Sequence, residues 1–272
     1  MAEAIVGDHV KVNSPATSSN PALWQPSDTE IVEIQQADLI ILNGANYAAW
    51  VDKVTLPETK LVNTSVVFQD RYIYLEDLDV HQHGPDGEHS HRGFAPQTWL
   101  SPELAELQAE QIAEAVIAKW PELSADFKSN LNELKSNLAQ QIKRADELKG
   151  VVTGRVVVSA KPQFKYFCES LGLADFHLHL PDNPLDVDIE RMKTKLVEIK
   201  EKASETGYNL LLLVDKTSLE SLTPELKQLF ANAKLKPLQL DTCDGPGEGT
   251  FINRLNANYL NMASAIGHPF KN

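Results

Sequence analysis

Residues 189–214, IERMKTKLVEIKEKASETGYNLLLLV, decide the fold. The first part predicts a helix over about Ile189–Thr206, and the second is a fully apolar run, Leu210 to Val214. An apolar strand of that kind is covered on both faces, which is the signature of a parallel sheet with helices packed on either side. Downstream, a helix over Thr223–Ala233 leads to a strand at Pro237–Leu240 and a last helix over about Thr250–Ile266. Upstream, VVTGRVVVS at 151–159 predicts a β-branched strand, followed by a helix from Pro162 to about Leu171 and a loop, HLHLPDNPLDVD.

The same alternation occupies the first half. In TEIVEIQQADLIILN, residues 29–43, Ile31, Ile34 and Ala37 keep helical spacing before the short apolar run Leu39 to Leu42. This change of period predicts a helix feeding a buried strand. Leu61 to Val67 predicts another strand, and Val80 to Gly93 (VHQHGPDGEHSHRG) a polar loop. Ser101, with Glu103 and Glu106, opens a helix that runs to Trp120. A second helix starts at Pro121, a favoured first helical residue, and carries Leu123, Phe127, Leu131, Leu134, Leu138 and Ile142 at three- or four-residue spacing up to Gly150. The fold expected is α/β: two lobes, each a mainly parallel sheet with flanking helices, joined by a long rigid connector helix. The boundaries expected are 1–120 for the N-terminal lobe with its His-rich loop 80–93, 121–150 for the connector and 151–272 for the C-terminal lobe.

A chain of 272 residues suits two such lobes, and its formal net charge of −13 argues against nucleic acid or an anionic membrane as a partner. The two cysteines, Cys168 and Cys243, have no CxxC spacing, which excludes a four-cysteine zinc site and a thioredoxin-type redox site. One disulfide and two buried thiols both remain open for them. The residues after Met1, AEAIVGDHV, lack a basic segment and a long apolar segment, so they do not read as a secretory signal.

Several stretches together resemble the zinc/manganese-type periplasmic substrate-binding proteins of ABC importers, metal-binding cluster A-I. They are GDHVKV, NPALWQPSDTEIVEIQQADLIILNGANYAAWVDKV, the His-rich loop followed by PQTWLSPE, the connector helix, VVVSAKPQFKYFCESLGL and LQLDTCDGPGEGTFINRLNANYLNMA. The resemblance covers nearly the whole chain in order. It implies a non-catalytic monomeric carrier in the periplasm that delivers a divalent transition metal, zinc first, to an ABC permease. It also implies a metal held in a cleft between lobes by three histidines and a carboxylate, a set suited to zinc. Here those positions hold Ala22, Gln97, Lys161 and Asp241, so only the carboxylate survives. A methyl group cannot bind a metal, an amide oxygen is a poor zinc ligand, and the Lys161 ammonium is expected to neutralise Asp241 in place of a cation. Because the chain begins inside a helix that a first strand precedes in the family, it is expected to be truncated, with the signal peptide upstream.

Metal-binding material is instead concentrated in the loop. His81 and His83 form one HxH pair and His89 and His91 a second, with Gly84, Pro85 and Gly87 between them favouring a turn that folds the segment back. Two such pairs bring three or four imidazoles around one Zn²⁺, Ni²⁺ or Cu²⁺. The alternative is a solvated polar loop. A third pair, His177 and His179, alternates with Phe176, Leu178 and Leu180, which fits an auxiliary ligand pair or the polar face of an ordinary strand.

Neither GxxxxGK[ST] nor GxGxxG occurs, GPGEG at 245–249 reads as a turn, and no GxSxG or HExxH is present. Nothing pairs a nucleophile with a base, so no enzyme is expected. Two functions stand: the carrier, and a metal buffer or sensor whose cleft no longer binds metal.

Overall fold

The computed structural model describes residues 1–14, 24–75, 93–152, 155–181, 186–204, 210–245 and 247–270. Ala22 and the four loop histidines, His81, His83, His89 and His91, lie outside the described residues. The chain divides into two compact units, Met1–Trp99 with Glu103–Ser136, and Leu100–Pro102 with Asn137–Asn272.

The first unit opens with helices α1 (Ala2–Val6) and α2 (Asp28–Gln36), followed by strands β1 (Ile40–Leu42) and β2 (Leu61–Asn63). A capping box starts α2: the Ser27 side chain accepts from the Glu30 N–H while the Glu30 carboxylate accepts from the Ser27 N–H at 2.7 Å. The helix-then-strand reading of residues 29–43 is thus what forms. β1 and β2 pair in parallel, Ile40 opposite Leu61 and Leu42 opposite Asn63. Ile40, Trp50 and Leu56 form a small core there, with Trp24 edge-on to Trp50. A short antiparallel pair, β3 (Tyr74–Leu75) and β4 (Gly93–Phe94), precedes helix α3 (Pro102–Lys119).

Helix α4 (Ser124–Val152) has 29 residues, about 44 Å at 1.5 Å per residue, and continues from the first unit into the second. It outlasts Gly150, where the sequence places its end, and takes Val151 and Val152 from the expected strand. Val152 is fully buried, and the tertiary contact it gains outweighs the strand preference of a β-branched residue. The expected strand at 61–67 also stops short. The Asn63 Oδ1 accepts from the Ser65 N–H at 3.2 Å, closing a local turn that ends β2, and residues 66–71 coil into 3₁₀ turns.

The second unit is a four-stranded parallel sheet. In chain order it comprises β5 (Val156–Ser159), α5 (Lys165–Ser170), β6 (Ala174–His177), α6 (Ile189–Ser204), β7 (Leu211–Val214), α7 (Lys216–Glu220), α8 (Pro224–Asn232), β8 (Lys236–Gln239) and α9 (Phe251–Ala265). The order across the sheet is β6-β5-β7-β8, every pair parallel. All four residues of β5 and of β7 are buried, as the run of leucines requires. One face, carrying Val156, Val158, Leu212, Val214, Leu178 and Leu180, packs on Met192, Leu196 and Ile199 of α6 and Leu226 and Phe230 of α8. Each such side chain contributes about 1.5–3 kcal/mol by burial. Pro237 lacks an N–H for a further ladder, and β8 is accordingly an edge strand. No described helix is long and apolar enough to cross a membrane.

Candidate functional site

Open parallel sheets bind ligands outside the carboxyl ends of their strands, where the strand order reverses. In the second unit the chain leaves β5 for β6 on one side and then returns to β7 on the other, so the ends of β5 and β7 mark that place. Lys161 stands two residues beyond β5 and Asp241 two residues beyond β8, both on this edge. Asp215, directly after β7, is committed elsewhere: its carboxylate caps α7, accepting from the Ser218 N–H at 2.5 Å and the Ser218 hydroxyl at 3.0 Å.

Asp241 is held from several sides. Its backbone N–H donates to Asn258 Oδ1 at 2.7 Å, and its carbonyl accepts from Asn258 Nδ2 at 2.7 Å. Oδ1 of the carboxylate accepts from Nη2 of Arg254 at 2.6 Å and from the Cys243 N–H at 2.7 Å, while Oδ2 accepts from Nε of Arg254 at 2.8 Å. This bidentate fork is the strongest form of ion pair a carboxylate makes with a side chain. Burial pushes the Asp241 carboxyl up, but the hydrogen bonds from Arg254 and from the Cys243 N–H outweigh it and leave the carboxyl below its ordinary value.

The partner of Asp241 is therefore Arg254, where the sequence reading assigned Lys161. The sheet gives the reason. Lys161 follows β5 and Asp241 follows β8, and β7 lies between them, so their strands are two spacings, about 9–10 Å, apart. Arg254, on the first turn of α9, reaches the carboxylate directly, and two further N–H groups donate to the carbonyls of Asp244 and Gly245, each at 3.1 Å.

In the first unit, Gln97 sits on a buried polar network. Asn43, just past β1, donates through Nδ2 to the Pro96 carbonyl at 2.9 Å and accepts at Oδ1 from the Thr98 hydroxyl at 2.8 Å. Gln108 of α3 donates to Asn43 Oδ1 and to Thr64 Oγ1, both at 2.8 Å. The network ties the 96–98 turn to the carboxyl ends of β1 and β2. Gln97 itself is 4% exposed, and its Oε1 accepts no hydrogen bond from the protein. Taken singly, a neutral amide oxygen, an ammonium and an arginine-paired aspartate are each poor zinc donors beside imidazole, thiolate or a carboxylate that is not otherwise engaged. Among the described residues no three His, Cys, Asp or Glu side chains are grouped to hold a metal ion.

His177 ends β6, in keeping with the alternative that made it part of the polar face of an ordinary strand, although the loop was expected to start at this residue; its ring stands edge-on to His179 with centroids 5.2 Å apart. His177 Nδ1 lies 3.5 Å from Oδ2 of Asp175, a carboxylate whose Oδ1 accepts the Ser159 hydroxyl at 2.6 Å. The pair lies on one side of the segment, as alternation requires, with Leu178 and Leu180 turned into the core. Cys168 and Cys243 are free thiols, and burial pushes both well up from their ordinary range, which makes them poor nucleophiles.

The family described as zinc-uptake complex component A, periplasmic (ZnuA) matches residues 1–265. The chain belongs to this family. Among curated relatives, the manganese ABC transporter substrate-binding lipoprotein PsaA of Streptococcus pneumoniae is 26% identical over 208 residues, 72% of this chain and 64% of that protein. The zinc-binding lipoprotein AdcA of the same species, strain R6, is 27% identical over 188 residues, 67% of this chain and 36% of the relative. The alignments with curated relatives such as FimA and PsaA thus span 64%, under two thirds, of their length. Among solved structures, the metal-dependent lipoprotein YcdH of Bacillus subtilis superposes with a TM-score of 0.71 at 18% identity, covering 98% of this chain and 94% of that one. The nickel complex of FpvC from P. aeruginosa gives 0.72 at 15% identity, with 97% and 92% covered. These superpositions establish the α/β fold with parallel sheets and flanking helices.

Arg254 and Asn258, which hold Asp241, are not among the residues that the sequence reading singled out. Their signal was available: they lie four residues apart, on one face of a helix that follows the LQLDTCD segment and its GPGEG stretch.

Proposed function

We propose that this chain is the solute-binding component of a metal-ion ABC import system, a non-catalytic monomeric carrier on the periplasmic side that presents a divalent transition metal to its permease. The observation that carries the reading is the family match over residues 1–265, which runs through both units. Relatives named for manganese and for zinc support the class of cargo. Zinc is the cargo favoured here, because imidazole suits it and His81, His83, His89 and His91 are the concentrated imidazole source of the sequence. In this reading the loop histidines capture the ion, and the lobes over 1–120 and 151–272, with the helix over 121–150 between them in sequence, form the body the permease recognises.

The second reading, a metal buffer or sensor without transport, is favoured by one specific observation, the Arg254 fork on Asp241. Uptake of radioactive zinc by cells with the gene intact and deleted separates the two. The carrier reading expects uptake at low external zinc to fall on deletion and to return with the gene. Unchanged uptake with altered tolerance to high zinc would sink the carrier and leave the buffer.

A further inference from the structure

We infer that Arg254 is an internal counter-cation that keeps divalent metal off the Asp241 position, by occupying the carboxylate such a cation would otherwise take. This rests on the reading of Asp241 as the position where the family places its carboxylate ligand. Three features make the guanidinium a built part of the structure. Its Nε and Nη2 engage both carboxylate oxygens, at 2.8 and 2.6 Å. Its Nη1 and Nη2 also donate to the carbonyls of Gly245 and Asp244, both at 3.1 Å, so the turn after β8 closes around it. Gly247 then lies against its face: a Cβ there would stand 2.7 Å from Cζ, so only glycine leaves room for the guanidinium in this place.

The electrostatics follow. A guanidinium is charged at every accessible pH, so the fork does not open by deprotonation. The Arg254 side chain is 12% exposed, which weakens the screening of its field by water. A divalent cation reaching Asp241 meets a carboxylate already neutralised, and it must either displace the fork or stand beside a like charge. Asp241 is 38% exposed, so access alone does not exclude the ion. The exclusion is one of charge.

The test uses Mn²⁺, which accepts carboxylate oxygen readily and is paramagnetic. Calorimetric titration of the full chain, of Arg254→Gln and of Arg254→Gln with Asp241→Asn is expected to show at least a tenfold gain in Mn²⁺ affinity for the single variant, lost in the double. Arg254→Lys, which keeps the charge, is expected to keep most of the suppression; this distinguishes charge from a merely structural role. No gain in Arg254→Gln, or a gain that persists with Asp241→Asn, overturns the inference. Should Arg254→Gln fail to fold, the unaltered protein decides. Its Arg254 Nε–H resonance is expected to stay sharp with stoichiometric Mn²⁺, and paramagnetic broadening of that signal overturns the inference. The parent's own metal binding is read separately: a parent that binds no metal defeats the carrier reading, whatever Arg254→Gln does.

Discussion

Asn258 substitutes for a neighbouring strand at Asp241, its amide oxygen accepting the Asp241 N–H and its amide nitrogen donating to the Asp241 carbonyl, both at 2.7 Å. The side chain is 1% exposed, so no solvent replaces it. Asn258→Ala would leave a backbone donor and acceptor without partners, at a cost of about 1–3 kcal/mol each. Urea denaturation is expected to show a loss of about 2–4 kcal/mol. A loss below about 0.5 kcal/mol, the range of ordinary surface changes, would show that the 241–245 turn holds itself without α9.

Gly247 offers a way to move Arg254 without removing its charge. Because the clash of an added Cβ is with the end of a flexible side chain at 2.7 Å, Gly247→Ala should push the guanidinium off Asp241 rather than unfold the unit. The Arg254 Nε–H is expected to lose its protection from solvent exchange while the far-UV spectrum stays unchanged. Retained protection would mean that the turn moves instead of the arginine.

Gly44 answers to backbone, not to charge. Its φ is +83°, and an added Cβ would stand 2.2 Å from Asn63 Oδ1, the acceptor that closes the turn after β2, and 2.2 Å from Ser65 Oγ. Gly44→Ala therefore combines left-handed strain of about 1–2 kcal/mol with a clash, and a total loss of about 3 kcal/mol is expected. Thermal unfolding followed by Trp fluorescence checks it, since Trp50 and Trp24 report on that core. An unshifted midpoint would contradict the tight approach.

Acid should weaken the Asp241 clamp. Its carboxyl is held below the ordinary value of 3.8, so the ionised form is preferred in the folded protein. A group depressed on folding contributes its full stability above the unfolded value and loses it as pH falls through the folded one. The urea midpoint is thus expected to fall below about pH 4, and less steeply in Asp241→Asn. Identical acid limbs in parent and variant would show that the pair carries no linkage.

How much of this was legible beforehand depends on what each residue answers to. The helix and strand in residues 29–43 and the strand at Leu211–Val214 were readable because burial imposes a period, and the sequence obeys it. The alternation around His177 offered a strand with a polar face, but its start at Ala174 was not assigned, because Asp175 and His177 put polar atoms on one face, where they contact Ser159 and each other. The first residues assigned to β5 went to α4 because Val152 is buried there, a tertiary demand that local preference does not record. The partner of Asp241 was misassigned for a similar reason. Alignment to a family ranks positions by the family's ligands, and Arg254 is not one of them. Its role follows from the turn of α9 that brings it back to a carboxylate 13 residues earlier.

In the proposed reading, divalent metal is captured by the loop histidines rather than at Asp241. Calorimetric zinc titration of the intact chain against a variant with His81, His83, His89 and His91 changed to Ala tests it most directly. The intact chain is expected to bind zinc, and the variant to lose at least a hundredfold in affinity. A tight one-to-one site that survives in the variant would contradict it and would place the cargo among ligands outside the loop.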